Sequence, residues 1–169
     1  LERAVLLRKV LSRIKEHKNK IATLITNESG LCLKHSLAEV DRGLNVLRYA
    51  ALQADLIDTI DHTKEFVQHE EFPSPELTVI TEPYDLFVAV TPFNHPLNSV
   101  LHNIAPAIAA GTSIVLKPSD KTPLTALLLG EILIDCGLPP NMVNIITGVS
   151  SERVVERILD NSRFDVFSF

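Results

Sequence analysis

The side chains best suited to bind or activate a small molecule gather at two points, Thr91-Pro92-Phe93-Asn94 and Lys117-Pro118-Ser119-Asp120. The first carries a carboxamide that can donate to an oxygen. The second sets an ammonium three residues from a carboxylate, so it both donates and accepts. Plainer roles compete with these. An asparagine shortly before a proline often closes a turn, and a lysine near an aspartate is often a solvated pair. Position raises both tetrads above that level. Each follows an apolar run with β-branched members, Phe87–Val90 and Ser113–Leu116, and parallel sheets bind ligands beyond the carboxyl ends of their strands.

The elements that must position these residues can be read from periodicity. Leu97 to Ala110 is mostly helical in character and closes at Gly111. A strand, a helix and a strand make a βαβ unit whose strands run parallel. The alternation continues with a helix over Thr122–Cys136, with Pro123 near its first position, stopped by Gly137-Leu138-Pro139-Pro140. A strand over Val143–Ile146, a helix over Ser150–Leu159 and a strand over Val166–Phe169 follow. The expected architecture is α/β, a doubly wound and largely parallel sheet.

N-terminal helices precede that sheet. From Glu2 to about Thr26, Leu7, Val10, Leu11, Ile14, Ile21, Leu24 and Ile25 recur at helical spacing, with a break expected near His17–Lys20. Gly30 suits a left-handed cap. Ser36 and Glu39 read as a capping box, opening a helix with Leu37, Val40, Leu44, Leu47 and Ala51 along one stripe. Residues 58–76 turn polar and proline-rich, a loop or linker, and Leu77–Ile80 reads as a strand. The division expected is therefore helices over 1–57, a loop over 58–76 and an α/β domain over 77–169.

Composition narrows the class further. A hydrophobic content of 46% is ample for a core, and a net charge of −5 gives no electrostatic case for nucleic acid. No run of about eighteen apolar residues exists, so no membrane span is expected, and no stretch reads as a signal peptide. Cys32 and Cys136 are far apart without metal spacing, which suits free thiols in a reducing, cytoplasmic compartment. The six histidines, His62 and His69 among them, show no ligand spacing, so no metal site is expected. His95 either faces a substrate or packs in its turn.

TPFNHP, then APAIAAG, then VLKPSD with TPLTA behind it, resembles the cofactor-binding domain of the aldehyde dehydrogenase superfamily. Several separated motifs in one order make the resemblance specific. It spans nearly the whole chain, with Glu28-Ser29-Gly30 standing where the family has E-T-G. It implies a Rossmann-like sheet, NAD as cofactor with NADP possible, and oxidation of a small aldehyde to a carboxylic acid through a cysteine thiohemiacetal. By the same resemblance Asn94 is catalytic, donating to the oxyanion, and also borders the cofactor. Thr91, Pro92 and Phe93 line the cofactor cleft. Lys117 and Asp120 meet the adenosine ribose hydroxyls, with Pro118 and Ser119 in the same turn, and Gly148 lies near the adenine. A carboxylate accepting from both hydroxyls disfavours a 2′-phosphate, although Asp120 is one methylene shorter than the usual glutamate. Family members form homo-oligomers, dimers or tetramers.

Two positions depart from the family pattern. Asn103 stands at a common lysine proposed as a proton relay, which brings coenzyme-A-acylating semialdehyde dehydrogenases into view as an alternative. Thr112 replaces a frequent asparagine. The family's cysteine nucleophile and glutamate base fall beyond Phe169, and family members are much longer, so the chain reads as an incomplete enzyme lacking the catalytic domain. A non-catalytic scaffold or nucleotide binder is the reading from another class. Cys32 and Cys136 both read as small apolar residues, outside the nucleophile motif. The 169-residue chain alone is therefore expected to produce no NADH from simple aldehydes. Activity abolished by Cys136→Ser would overturn that.

Overall fold

The computed structural model describes residues 2–57, 82–148, 151–160 and 163–169. The expected loop over 58–76 and the strand over Leu77–Ile80 lie outside the described residues. Three helices open the fold, α1 (Glu2–Glu16), α2 (Lys18–Ser29) and α3 (Leu33–Ile57). The α/β part follows as β1 (Leu86–Val90), α4 (Asn98–Ala110), β2 (Ser113–Lys117), α5 (Leu124–Asp135), β3 (Val143–Ile145), α6 (Ser151–Asp160) and β4 (Val166–Ser168).

The four strands form one parallel sheet in the order β3-β2-β1-β4. Strand order reverses between β1 and β4, so the doubly wound expectation holds. Side chains alternate between the two faces, as the two-residue period of a strand requires. Phe87, Ala89, Ile114 and Leu116 pack with α4 and α5 in the main core. Leu86, Val88 and Val115 line the other face, opposite Val154 and Ile158 of α6.

One buried cluster unites the N-terminal helices with the sheet. Leu7, Val10 and Ile14 of α1, Ile21 and Ile25 of α2, and Val40 and Leu47 of α3 join Leu101, Ile104 and Ile108 of α4 and Leu129 and Leu133 of α5. Each such side chain, fully buried, contributes roughly 1.5–3 kcal/mol. The stripe seen in the sequence of α3 is the face that meets α1 and α4. Gly43 of α3 faces Leu101 of α4, and a Cβ there would lie 2.7 Å from Leu101 Cδ1.

Two local expectations need correction. Ser36 and Glu39 form no capping box, because α3 begins earlier, at Leu33. Ser36 Oγ instead bonds Thr26 Oγ1 at 2.9 Å and donates to the Cys32 carbonyl, while Glu39 faces away towards α4. Cys32 is exposed rather than an ordinary apolar residue. It precedes α3, and its carbonyl accepts from the N–H groups of His35 and Ser36.

Both ends of the first two-helix segment behave as the sequence suggests. The break falls at His17, and Gly30 closes α2 with φ 76°, donating to the Thr26 carbonyl. At the end of α4, Gly111 takes φ 89°, and Arg3 reaches from α1 to donate to the Ala110 carbonyl at 2.7 Å. A Cβ on Gly111 would lie 2.6 Å from Arg3 Nη1. Gly111→Ala is therefore expected to destabilise the complete protein by about 1–2 kcal/mol, from left-handed strain alone. Urea denaturation reads this, and an unchanged midpoint would mean that the turn and Arg3 both relax freely.

Candidate functional site

The two tetrads leave the sheet side by side. Val90 of β1 pairs with Lys117 of β2, and the Thr91 N–H donates to the Lys117 carbonyl at 3.0 Å. Thr91 is buried and Pro92 exposed. Phe93 is half exposed, and the Lys121 ammonium sits 4.6 Å from its ring centroid. That cation–π contact links the second turn to the first. Asn94 is exposed, and among the described residues no side chain claims its amide. The role of a turn-closing asparagine therefore has no hydrogen bond behind it.

What holds the Asn94 turn comes from α3. Glu39 is 0% exposed. Its carboxylate accepts from the N–H groups of Leu97 at 2.9 Å and Asn98 at 3.1 Å, and lies 3.3 Å from His95 Nδ1. Helix α4 has no side-chain cap of its own. The first amides of a helix have no partner within it and carry partial positive charge, so a buried carboxylate satisfies both needs. Glu28 of α2 does the same for α5, accepting from the N–H groups of Leu124 and Thr125 and from the Thr125 hydroxyl. The E-S-G segment thus has a structural task at the start of the helix that follows the Lys117 turn.

Lys117 is fully buried. Its ammonium donates to the Pro118 carbonyl at 2.7 Å and to Asp120 Oδ1. An ammonium taken out of water needs such acceptors, so this is no solvated turn pair. Pro118 is buried, Ser119 half-buried and Asp120 exposed. Ser119 Oγ accepts from the Lys121 N–H at 3.2 Å. Thr122 is buried, and its hydroxyl has no partner among the described residues. Gly148, half-buried, follows β3 at the carboxyl side of the same sheet, where a Cβ would approach Val154 at 3.0 Å. A buried ammonium held by the Pro118 carbonyl and by Asp120, with the Ser119 and Thr122 hydroxyls close by in the chain, makes the end of β2 a polar turn.

The remaining candidates stand apart from this site. Asn103 turns back to its own helix, donating to the Ser99 carbonyl at 2.8 Å. Burial pushes the Cys136 thiol above its ordinary pKa, and the nearby Arg13 offsets this only in part, so the thiolate needed of a nucleophile is disfavoured. Among the described residues no group of three histidines, cysteines or carboxylates is placed to hold a metal, and no helix is long and apolar enough to cross a membrane. Sequence reasoning read Glu39 only as half of a capping box with Ser36, and its hold on the start of α4 gives no local signal.

Fold and site together define a doubly wound α/β domain with its polar residues at the strand ends. The family model of the aldehyde dehydrogenase family matches residues 1–169, and the chain belongs to that family. Relatives include the 3-sulfolactaldehyde dehydrogenase of Priestia aryabhattai, 33% identical over 99% of this chain and 35% of its own length. Among solved structures, the betaine aldehyde dehydrogenase of Staphylococcus aureus in complex with NAD+ superposes with a TM-score of 0.88 at 33% identity, covering 99% of this chain and 32% of the other. The glyceraldehyde-3-phosphate dehydrogenase of Methanocaldococcus jannaschii complexed with NADP gives 0.85 at 32% identity, covering 99% and 36%. The chain thus spans about a third of the length of the relatives it matches.

Glu39→Ala leaves two amides and a helix start without their acceptor. In the complete protein it is expected to cost about 2 kcal/mol or more. A Glu39→Ala variant that melts at the parent's temperature would remove Glu39 from the Asn94 turn.

Proposed function

We propose that this chain supplies the cofactor-binding and oxyanion-binding part of an NAD(P)-dependent aldehyde dehydrogenase. The observation that carries this is the Asn94 turn: an amide unclaimed by its neighbours, beyond the carboxyl end of β1 and beside the point of strand reversal, on a turn clamped by a buried carboxylate. That placement suits a donor kept ready for an oxygen that gains negative charge when a cysteine attacks the aldehyde carbonyl. Lys117 and Asp120 would hold the adenosine ribose hydroxyls, with Thr91, Pro92, Phe93, Pro118, Ser119 and Gly148 around the cofactor. Asp120, accepting from both hydroxyls, favours NAD over NADP. The nicotinamide, when bound, accepts the hydride.

Asn103 favours a second reading for the closing step. Its amide is committed within α4 and carries no charge, so it offers no proton relay, and release of the acyl group to coenzyme A rather than to water becomes the alternative. The cytoplasm and a homo-oligomeric state complete the proposal.

In the complete enzyme, Asn94→Ala is expected to lower kcat by about a hundredfold to a thousandfold, with cofactor affinity far less affected. The donor's contribution grows towards the transition state. Steady-state kinetics with a melting curve on the same variant decide the matter. Normal turnover with a lowered melting temperature would leave Asn94 a structural residue.

A further inference from the structure

The two oxygens of the buried Glu39 carboxylate have different partners. Oε1 accepts from the Leu97 and Asn98 amides at 2.9 and 3.1 Å. Oε2 meets one group among the described residues, His95 Nδ1 at 3.3 Å. We propose that His95 is a positioning residue for Asn94: its ring donates Nδ1–H to Glu39 and so fixes the turn whose amide meets the oxyanion. The proposal rests on the aldehyde dehydrogenase reading above and assigns within it a residue that holds the donor rather than the substrate.

Two neighbours compete for Nδ1. Arg42 Nη2 lies 3.4 Å from it. A guanidinium can only donate and an ionised carboxylate can only accept, so Nδ1 cannot serve both. Burial decides between them. Glu39 is 0% exposed, so water cannot replace a missing donor at Oε2, and a buried charge left short of hydrogen bonds is costly. Arg42 is exposed, and water satisfies its donors instead. Nδ1 therefore carries the proton. The neutral Nδ1–H tautomer and the imidazolium both have it there, so the contact does not depend on the charge of the ring.

The backbone ties the same residue to the helix. The His95 carbonyl accepts from the Ser99 N–H at 2.9 Å, and Pro96 brings no N–H of its own and disfavours helical backbone at His95. The amides of Leu97, Asn98 and Ser99 thus all end on Glu39 or His95, and the contact of Nδ1 with Oε2 closes the ring. On the strand side, the Thr91 N–H is anchored on the Lys117 carbonyl at 3.0 Å. Asn94 stands between the two anchors. Its exposed amide is held by no side chain among the described residues, so its aim comes from the backbone that carries it. Loss of the ring's donor would loosen one anchor, and positioning catalysis responds to displacements of about 1 Å.

The test uses the complete enzyme with His95→Phe, His95→Asn and His95→Gln. His95→Phe keeps a ring without a donor and is expected to lower kcat by about tenfold to a hundredfold, with KM for the aldehyde and affinity for NAD far less changed. His95→Asn puts an amide nitrogen where Nδ1 was and should restore most of the loss. His95→Gln puts one where Nε2 was and should not. A ring that touched the substrate through its outer nitrogen would reverse that order and raise KM. Isotopic labelling of the histidine nitrogens gives a readout apart from activity: the NMR signals missing from His95→Asn should report a protonated Nδ1 in the parent. A bare Nδ1, a parent-like kcat in His95→Phe, or rescue by glutamine alone overturns the proposal. If His95→Phe does not fold, the comparison of asparagine with glutamine and the site of the proton decide. If the protein oxidises no aldehyde yet carries the proton on Nδ1, the contact stands and the aldehyde dehydrogenase reading fails. If it oxidises aldehydes with Nδ1 bare, the reading stands and the positioning role falls.

Discussion

The buried carboxylate of Glu39 on the first amides of α4 is the contact on which the site depends. Helix α4 starts without a side-chain cap of its own, and so does α5. Both take their acceptor from the N-terminal helices, Glu39 of α3 for α4 and Glu28 of α2 for α5. Arg3 of α1 completes the set at the far end of α4. An amide left buried and unpaired costs about 1–3 kcal/mol, so these three side chains decide more than local order. They make the N-terminal helices part of the machinery that aims the strand-end turns, in addition to the apolar surface they cover.

Remote capping also frees the turns themselves. Where a helix supplies its own cap, an asparagine, serine or aspartate in the preceding turn spends its side chain on the helix amides. Here Glu39 takes that duty, and the Asn94 amide is left without an intramolecular claim among the described residues. At the start of α5, Glu28 caps the helix while Asp120 pairs with Lys117 and keeps its outer edge in solvent. Neither Asn94 nor Asp120 has to cap the helix that follows it, because distant glutamates do that structural work.

The strands, the sheet helices and their glycine stops were legible because their signals are periodic or local. A run of β-branched residues, a three-four stripe and a glycine with positive φ each act within a few residues. The Asn94 and Lys117 turns were legible as a site for a related reason, since ligand binding beyond strand ends follows from the βαβ pattern. Glu39 was not legible, because Ser36-x-x-Glu39 fits a local capping box while its true partners lie 58 and 59 residues away. The 3.4 Å contact of Arg42 with His95 is hidden in the same way, on a helix face that reads as solvated. The register that sets Val90 opposite Lys117, and the return of β4 to the side of β1, are equally non-local. Periodicity states that strands exist, but pairing is decided by what covers each face.

That register makes the two turns one platform. The Thr91 amide bonds the Lys117 carbonyl, and Lys121 lies over the Phe93 ring. A cation–π contact this exposed contributes about 0.5–1 kcal/mol, too little to hold a turn alone but enough to couple two turns already fixed by a shared ladder. Catalysis by positioning is unforgiving, and a shift of about 1 Å can lower a rate a hundredfold. A donor for the reacting oxygen and a grip on the cofactor's ribose therefore gain from standing on neighbouring strands rather than on separate loops. Glu39 bears on one end of this platform and Glu28 on the helix behind the other. A disturbance at either carboxylate reaches both proposed subsites through the paired ends of β1 and β2, so cofactor binding and oxyanion stabilisation should be lost together more readily than apart.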